Sequence, residues 1–212
     1  MKQFFKELSK IEFARKVVLH PFQGFWEIKK ENEGSLPAAL LLAILYSFSS
    51  IVKKYLSGFI FNSEETVPNL LVDLIQIVLP IFLWCVSNWC VTTLMAGEGR
   101  MRDIVSVTCY ALAPMIVGNF LYTVLSNVLT KNESAFLLVI QIAFTVWSGM
   151  LIVFGILVAH QYTLSKTVIA CLLTIIAMAI LIFIILLIFS LTQEIIGLVE
   201  SMIKELAYRS LG

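Results

Sequence analysis

The chain has 212 residues, of which 59% are apolar and only 14% charged, with a net charge of +1 and a mean hydropathy of +0.94. A soluble domain carries about 25% charged residues and cannot bury this much apolar surface, so the composition excludes a water-soluble globule. The near-neutral charge, without a basic stripe interleaved with aromatics, gives nucleic acid nothing to bind.

Residues 2–19 predict an amphipathic helix, with Phe4, Phe5, Leu8, Ile11, Ala14 and Val18 at helical spacing and Lys6, Lys10 and Lys16 around them. Such a helix is expected to lie in the headgroup layer, apolar face down. His20-Pro21 is expected to end it, since the residue before proline disfavours helix. Phe22 to Lys30 is aromatic and charged, suited to the interface, Glu31 to Ser35 is a polar turn, and Pro37 sits where the first turn of a helix tolerates it. Without a continuous apolar core or a small-residue cleavage site in the first 35 residues, no cleavable signal is expected, and the first span serves as its own insertion signal.

Five apolar stretches of about 25 residues follow, each longer than the roughly 20 residues that a helix needs to cross a bilayer. They run over 36–60, 70–95, 104–128, 135–159 and 167–191. The first carries Ala39, Ala43 and Ser47 at four-residue spacing, a ridge that lets another helix approach, and ends near Lys53 and Lys54, placed to snorkel. On the same side, Asp73 lies one turn into the second span, where an ion pair with Lys53 or Lys54 would offset the cost of burying either charge. Pro80 in the second span and Pro114 in the third predict kinks, the latter freeing the carbonyl of Tyr110. Asn88 and Asn119 are expected to bond between helices, while Gly155 and Ala159 give the fourth span a packing face. The fifth, uniformly apolar, is the expected lipid-facing wall. After it, Ile195, Ile196, Val199, Met202, Ile203 and Leu206 alternate with Glu194, Glu200, Lys204 and Glu205 as a second interfacial helix.

The predicted fold is an all-α integral membrane protein, a five-helix transmembrane bundle flanked by N- and C-terminal amphipathic interfacial helices. Residues 1–35 form the cytoplasmic segment, 36–191 the membrane domain and 192–212 an outer-face helix. Of the 15 Lys and Arg residues, seven precede the first span; Arg100, Arg102 and Lys166 join them on one side, against Lys53, Lys54, Lys131, Lys204 and Arg209 on the other. The positive-inside rule then sets the N-terminus in the cytoplasm and the C-terminus outside.

No reactive constellation accompanies these spans. There is no His-Glu-x-x-His and no Gly-x-Ser-x-Gly. The cysteines Cys85, Cys90, Cys109 and Cys171 fall inside spans as small hydrophobes, and His20 and His160 read as interfacial imidazoles rather than metal ligands. No catalytic residue, cofactor or metal is expected. Polarity gathers instead at the predicted inner ends of the spans, in Gly97 to Asp103, in His160 to Lys166 and in His20 to Lys30.

The run Gly97-Glu98-Gly99 to Asp103 followed by Tyr110-Ala111-Leu112-Ala113-Pro114 resembles the signature of the YIP (Ypt/Rab-interacting protein) five-span membrane family in its bacterial form. So do His20-Pro21 with Gly24 to Lys29, Gly58 to Asn62, Trp147-Ser148-Gly149, and His160-Gln161-Tyr162 with Lys166. The likeness covers about residues 20 to 192 and departs from the pattern at Gln161, where an acidic residue is expected. It implies five helices, a cytoplasmic N-terminus and an outer C-terminus in a bacterial cytoplasmic membrane. Eukaryotic relatives are associated with Rab GTPases, which a bacterium lacks, so no Rab partner is expected; the bacterial relatives imply partnership with a sugar-type ABC transporter.

The expected function is that of a non-enzymatic accessory or scaffold protein. It meets membrane lipids and docks on another integral membrane protein or transporter subunit through its spans and cytoplasmic face. Trp26, Glu27, Glu98, Arg100, Asp103, Tyr110, Pro114, His160 and Tyr162 are the candidate contacts. The alternative is a small transporter or channel whose path runs between the kinked second and third spans, lined by Asp73, Asn88 and Asn119.

Overall fold

Apolar runs this long leave the backbone one way to satisfy its own donors and acceptors in lipid, and that is helix. The computed structural model describes residues 13–30, 35–61 and 69–211, with side chains to 205. Among the described residues there is no strand. The chain forms α1 (13–19), α2 (Pro21–Lys30), α3 (Leu36–Leu56), α4 (Leu70–Leu94), α5 (Met101–Ala111), α6 (Ala113–Ser126), a 3₁₀ turn at Lys131–Glu133, α7 (Ser134–His160) and α8 (Leu164–Leu211). Five segments are long and apolar enough to cross a membrane: α3, α4, α5 with α6, α7 with its preceding turn, and α8. This is an all-α, five-span, multi-pass membrane protein, as the hydropathy pattern predicts.

Burial ranks the spans. The third, made of α5 and α6, has 61% of its apolar window buried and forms the centre; in α8 only 6% is buried. The fifth span is thus the least buried, as its uniform composition predicts for a lipid-facing wall. The main core joins Phe25 and Ile28 of α2, Ala38, Ala39 and Leu42 of α3, Val107, Cys109, Tyr110 and Ala111 of α5, and Leu151, Val158 and Ala159 of α7. The small residues at Ala39, Ser47, Gly155 and Ala159 are buried, as close helix approach requires. A Cβ at Gly155 would stand 2.2 Å from a methyl of Val107.

Asn119 donates to the hydroxyls of Ser49 and Ser50 at 3.1 Å, tying α6 to α3. Asn88 donates to Thr174 at 3.1 Å, tying α4 to α8. Asp73 accepts from Lys54 at 2.7 Å and from the Tyr55 hydroxyl, so the predicted ion pair forms, with Lys54.

Several expectations are corrected. The predicted headgroup helix lies partly in residues 1–12, outside the described residues, and so does most of the polar turn at 31–34. The described part, α1, buries Ala14 and Val17 in protein, so its apolar face is spent on the bundle rather than on lipid. His20-Pro21 does end the first helix, as expected, and Pro21 at once opens α2, because proline fits a first helical turn as well as it ends a preceding one. The first span stops at Leu56, short of Ile60. There Asn127 donates to the Leu56 carbonyl at 2.9 Å, and Gly58 N–H donates to Ser126 at 3.0 Å. Lys53 does not snorkel: its Nζ donates to Gln141 at 2.6 Å and lies 4.6 Å from the ring centre of Tyr122.

The two prolines part company. α4 runs unbroken through Pro80. At Pro114 the third span does break, at Leu112, and Met115 N–H turns back to the Leu112 carbonyl at 3.0 Å. Beside the break, Ser148 of α7 donates to the Ala111 carbonyl at 2.6 Å. Finally, the predicted outer interfacial helix is not separate. α8 is one helix of 48 residues from Leu164 to Leu211; at about 1.5 Å per residue it is roughly 72 Å long, more than twice the hydrocarbon thickness.

Candidate functional site

The sequence-predicted polar segments converge at one end of the bundle, where α2, the turn after α4 and the turn after α7 meet. Two helices end there in the same way. In α7, Gln161 takes a left-handed conformation (φ 53°) and Tyr162 N–H bonds back to the Leu157 carbonyl at 3.1 Å. In α4, Ala96 does the same (φ 54°) and Gly97 N–H reaches the Thr92 carbonyl at 2.8 Å. Both are Schellman caps, and neither has the glycine usual at the left-handed position.

The caps are joined to each other. The Tyr162 hydroxyl lies 3.2 Å from the carbonyls of both Thr92 and Met95, at the C-terminal end of α4. Burial holds its phenol above the ordinary value of 10.0, so it remains a donor. Gly99 N–H donates to His160 Nδ1 at 3.2 Å, which fixes the ring as the neutral tautomer with its proton on Nε2. His160 in turn stacks on Tyr162, ring centres 5.3 Å apart. The glycines explain themselves by proximity: a Cβ at Gly97 would stand 2.4 Å from His160 Nδ1, and one at Gly99 would stand 2.7 Å from Cε1. Asp103 closes the loop by accepting from Arg100 N–H at 2.9 Å, capping the start of α5.

α2 clamps this assembly from the side. Lys29 Nζ donates to the Ala159 carbonyl at 2.7 Å, where a cation meets the negative end of α7, and lies 3.7 Å from Glu98. Lys16 of α1 donates to both oxygens of Glu27 at 2.6 Å, and Gln23 adds a bond at 3.1 Å. The hydrogen bond from Lys16 holds the Glu27 carboxyl below its ordinary value of 4.5, against the opposing effect of burial.

The predicted contact residues therefore divide. Trp26, Glu98 and Arg100 are exposed and Asp103 is half-buried. Glu27, His160 and Tyr162 are buried and occupied with one another's elements. Tyr110 and Pro114 lie inside the bundle, Tyr110 with no exposed surface, so neither is a surface contact. Tyr110 instead meets Phe13 edge-on at 6.3 Å. Lys29 and Thr92 belong to the site although sequence reasoning did not single them out; Lys29 had one signal, its place at the end of an aromatic and basic stretch. The transport path is also corrected: Asp73 faces α3, Asn88 faces α8 and Asn119 faces α3, so the three line no common passage between the second and third spans. Among the described residues, no group of three His, Cys, Asp or Glu side chains is placed to hold a metal.

Fold and site together define a five-span helical membrane protein whose motif residues knit the helix ends at one face. Residues 15–188 match the Yip1 domain, and the chain belongs to that family. Comparison with curated proteins and with solved structures returns no match.

Proposed function

We propose that this protein is a non-enzymatic accessory or scaffold subunit of a bacterial cytoplasmic membrane, docking on another integral membrane complex through its spans and its cytoplasmic face. One observation carries the reading. The buried motif residues are consumed in joining helix ends, while Trp26, Glu98 and Arg100 are left exposed on the same face. A rigid polar and aromatic surface of that kind suits protein contact. The Yip1 domain family is not known as an enzyme family, which agrees with a scaffold role. A sugar-type ABC transporter is the partner class that the bacterial resemblance implies.

The test is photocrosslinking in native membranes from probes placed at Trp26 and Glu98, followed by purification in mild detergent. A single membrane protein captured in stoichiometric amount from both positions is the expected outcome. Protein that crosslinks to nothing, or differently at each repeat, would remove the docking reading.

A further inference from the structure

A groove of about 530 Å³ lies where α2 crosses the end of α7, lined by Phe22, Gln23, Trp26, Leu157, Val158, Gln161 and Tyr162. Its volume falls within the range of small-molecule sites, roughly 300–1,000 Å³. Its floor is apolar and continuous with the bilayer-crossing part of α7: Leu157 and Val158 belong to the last turn of that span, and Phe22 meets Phe154 one turn deeper at 4.7 Å. Its rim is aromatic, with Phe22 and Trp26 exposed, as expected at headgroup depth.

Two cations sit on the rings that wall it. Lys30 Nζ lies 4.6 Å from the ring centre of Trp26, and Lys166 Nζ lies 4.1 Å from that of Tyr162. Among the described residues neither lysine has a carboxylate partner, whereas the carboxylates of α2 and of the Gly97 loop are already engaged, Glu27 by Lys16 and Glu98 by Lys29. Among the described residues the groove therefore carries positive charge with no carboxylate paired to it, above an apolar slot at the end of the α7 span. That pairing of an acyl-sized floor with a cationic, aromatic rim is complementary to one class of molecule.

We propose that this groove binds an anionic phospholipid, its phosphate held between Lys30 and Lys166 beside the Gln161 amide and the start of an acyl chain laid against Phe22, Leu157 and Val158. The groove shares Trp26 with the proposed docking face, but its lipid is held by Lys30 and Lys166, which that reading does not use, so the lysine substitutions test it separately. Near a membrane surface each such lysine favours anionic lipid by about fivefold.

Trp26 is a native reporter. The test uses the full chain, with Trp84, Trp89 and Trp147 changed to Phe, in nanodiscs of phosphatidylcholine containing a small fraction of brominated phosphatidylglycerol or brominated phosphatidylcholine. Trp26 should be quenched at several-fold lower mole fraction of the anionic lipid, and Lys30→Gln or Lys166→Gln should each erase most of that preference. If the triple substitution fails to fold, the same comparison between the native chain and Trp26→Phe isolates the Trp26 signal. Equal quenching by the two brominated lipids, or a preference unchanged by both lysine substitutions, would overturn the proposal.

Discussion

Gly97 shows how little room the joined caps leave. A methyl there would stand 2.4 Å from His160 Nδ1 and 2.6 Å from the Tyr162 hydroxyl, so both rings must move and the bonds to Gly99, Thr92 and Met95 are strained or lost. Overpacking of this kind costs about 1–3 kcal/mol, and Gly97→Ala should lower the unfolding midpoint in detergent accordingly. The neighbouring Ala96→Gly should act the other way. Alanine at φ 54° is in a conformation that glycine adopts without penalty, and relief of about 1 kcal/mol is expected. Denaturant titration of the two variants checks both signs; stabilisation by Gly97→Ala would refute the close packing. The glycines and the tyrosine were legible as a motif in the sequence. Their mutual contact was not, because Gly99 and His160 are 61 positions apart and nothing local couples them. Exposure was harder still to read: Tyr110 and Trp26 are both aromatic residues beside polar ones, yet one lies in the core and the other on the rim.

At the level of helices, span number and the direction of the small-residue faces could be read from periodicity because both follow from composition along one helix. Breaks could not, because they depend on neighbours. Pro114 is buried and Ser148 supplies a donor to the opened backbone, whereas Pro80 is exposed on a continuous helix. The helix does not stop at residue 192 for a related reason: charges at Glu194 and Glu200 alter which solvent suits the helix, not whether it continues, so α8 runs on. The Lys54–Asp73 pair was legible from topology, since two charges near the same end of adjacent spans have few alternatives. An asparagine at 73 removes the carboxylate charge that faces Lys54 and the Tyr55 hydroxyl and leaves an amide oxygen that accepts more weakly. Asp73→Asn is expected to cost about 1 kcal/mol, toward the low end for a charged hydrogen bond because Lys54 is itself partly exposed. The exchange Lys54→Asp with Asp73→Lys should recover most of that loss in a double-mutant cycle. A cycle with no coupling between the two positions would show that the pair adds nothing to stability.

Across the whole molecule the two ends differ in kind. One gathers α2, the Gly97 loop and the turn at Gln161, with Lys29, Lys30, Arg100, Arg102 and Lys166; the other holds the Gly58 turn, the start of α4 and the Lys131 turn. We propose that the first end, which carries more of the basic residues, is the cytoplasmic one by the positive-inside rule, and the docking reading depends on that sidedness because partners differ on the two sides. Impermeant maleimide labelling of single introduced cysteines decides it. The native Cys85 and Cys109 are buried, and Cys90 and Cys171 lie within spans, so the background should be low. Arg102→Cys, on the exposed loop side, should label in inside-out vesicles and stay unlabelled in intact cells, whereas Lys131→Cys should label in intact cells. The opposite pattern would turn the motif face outward, and a cytoplasmic partner for Trp26 and Glu98 would then be excluded. The same result would carry the Lys30–Lys166 groove to the outer leaflet, where its preference for anionic lipid would remain measurable but would draw on a different lipid pool.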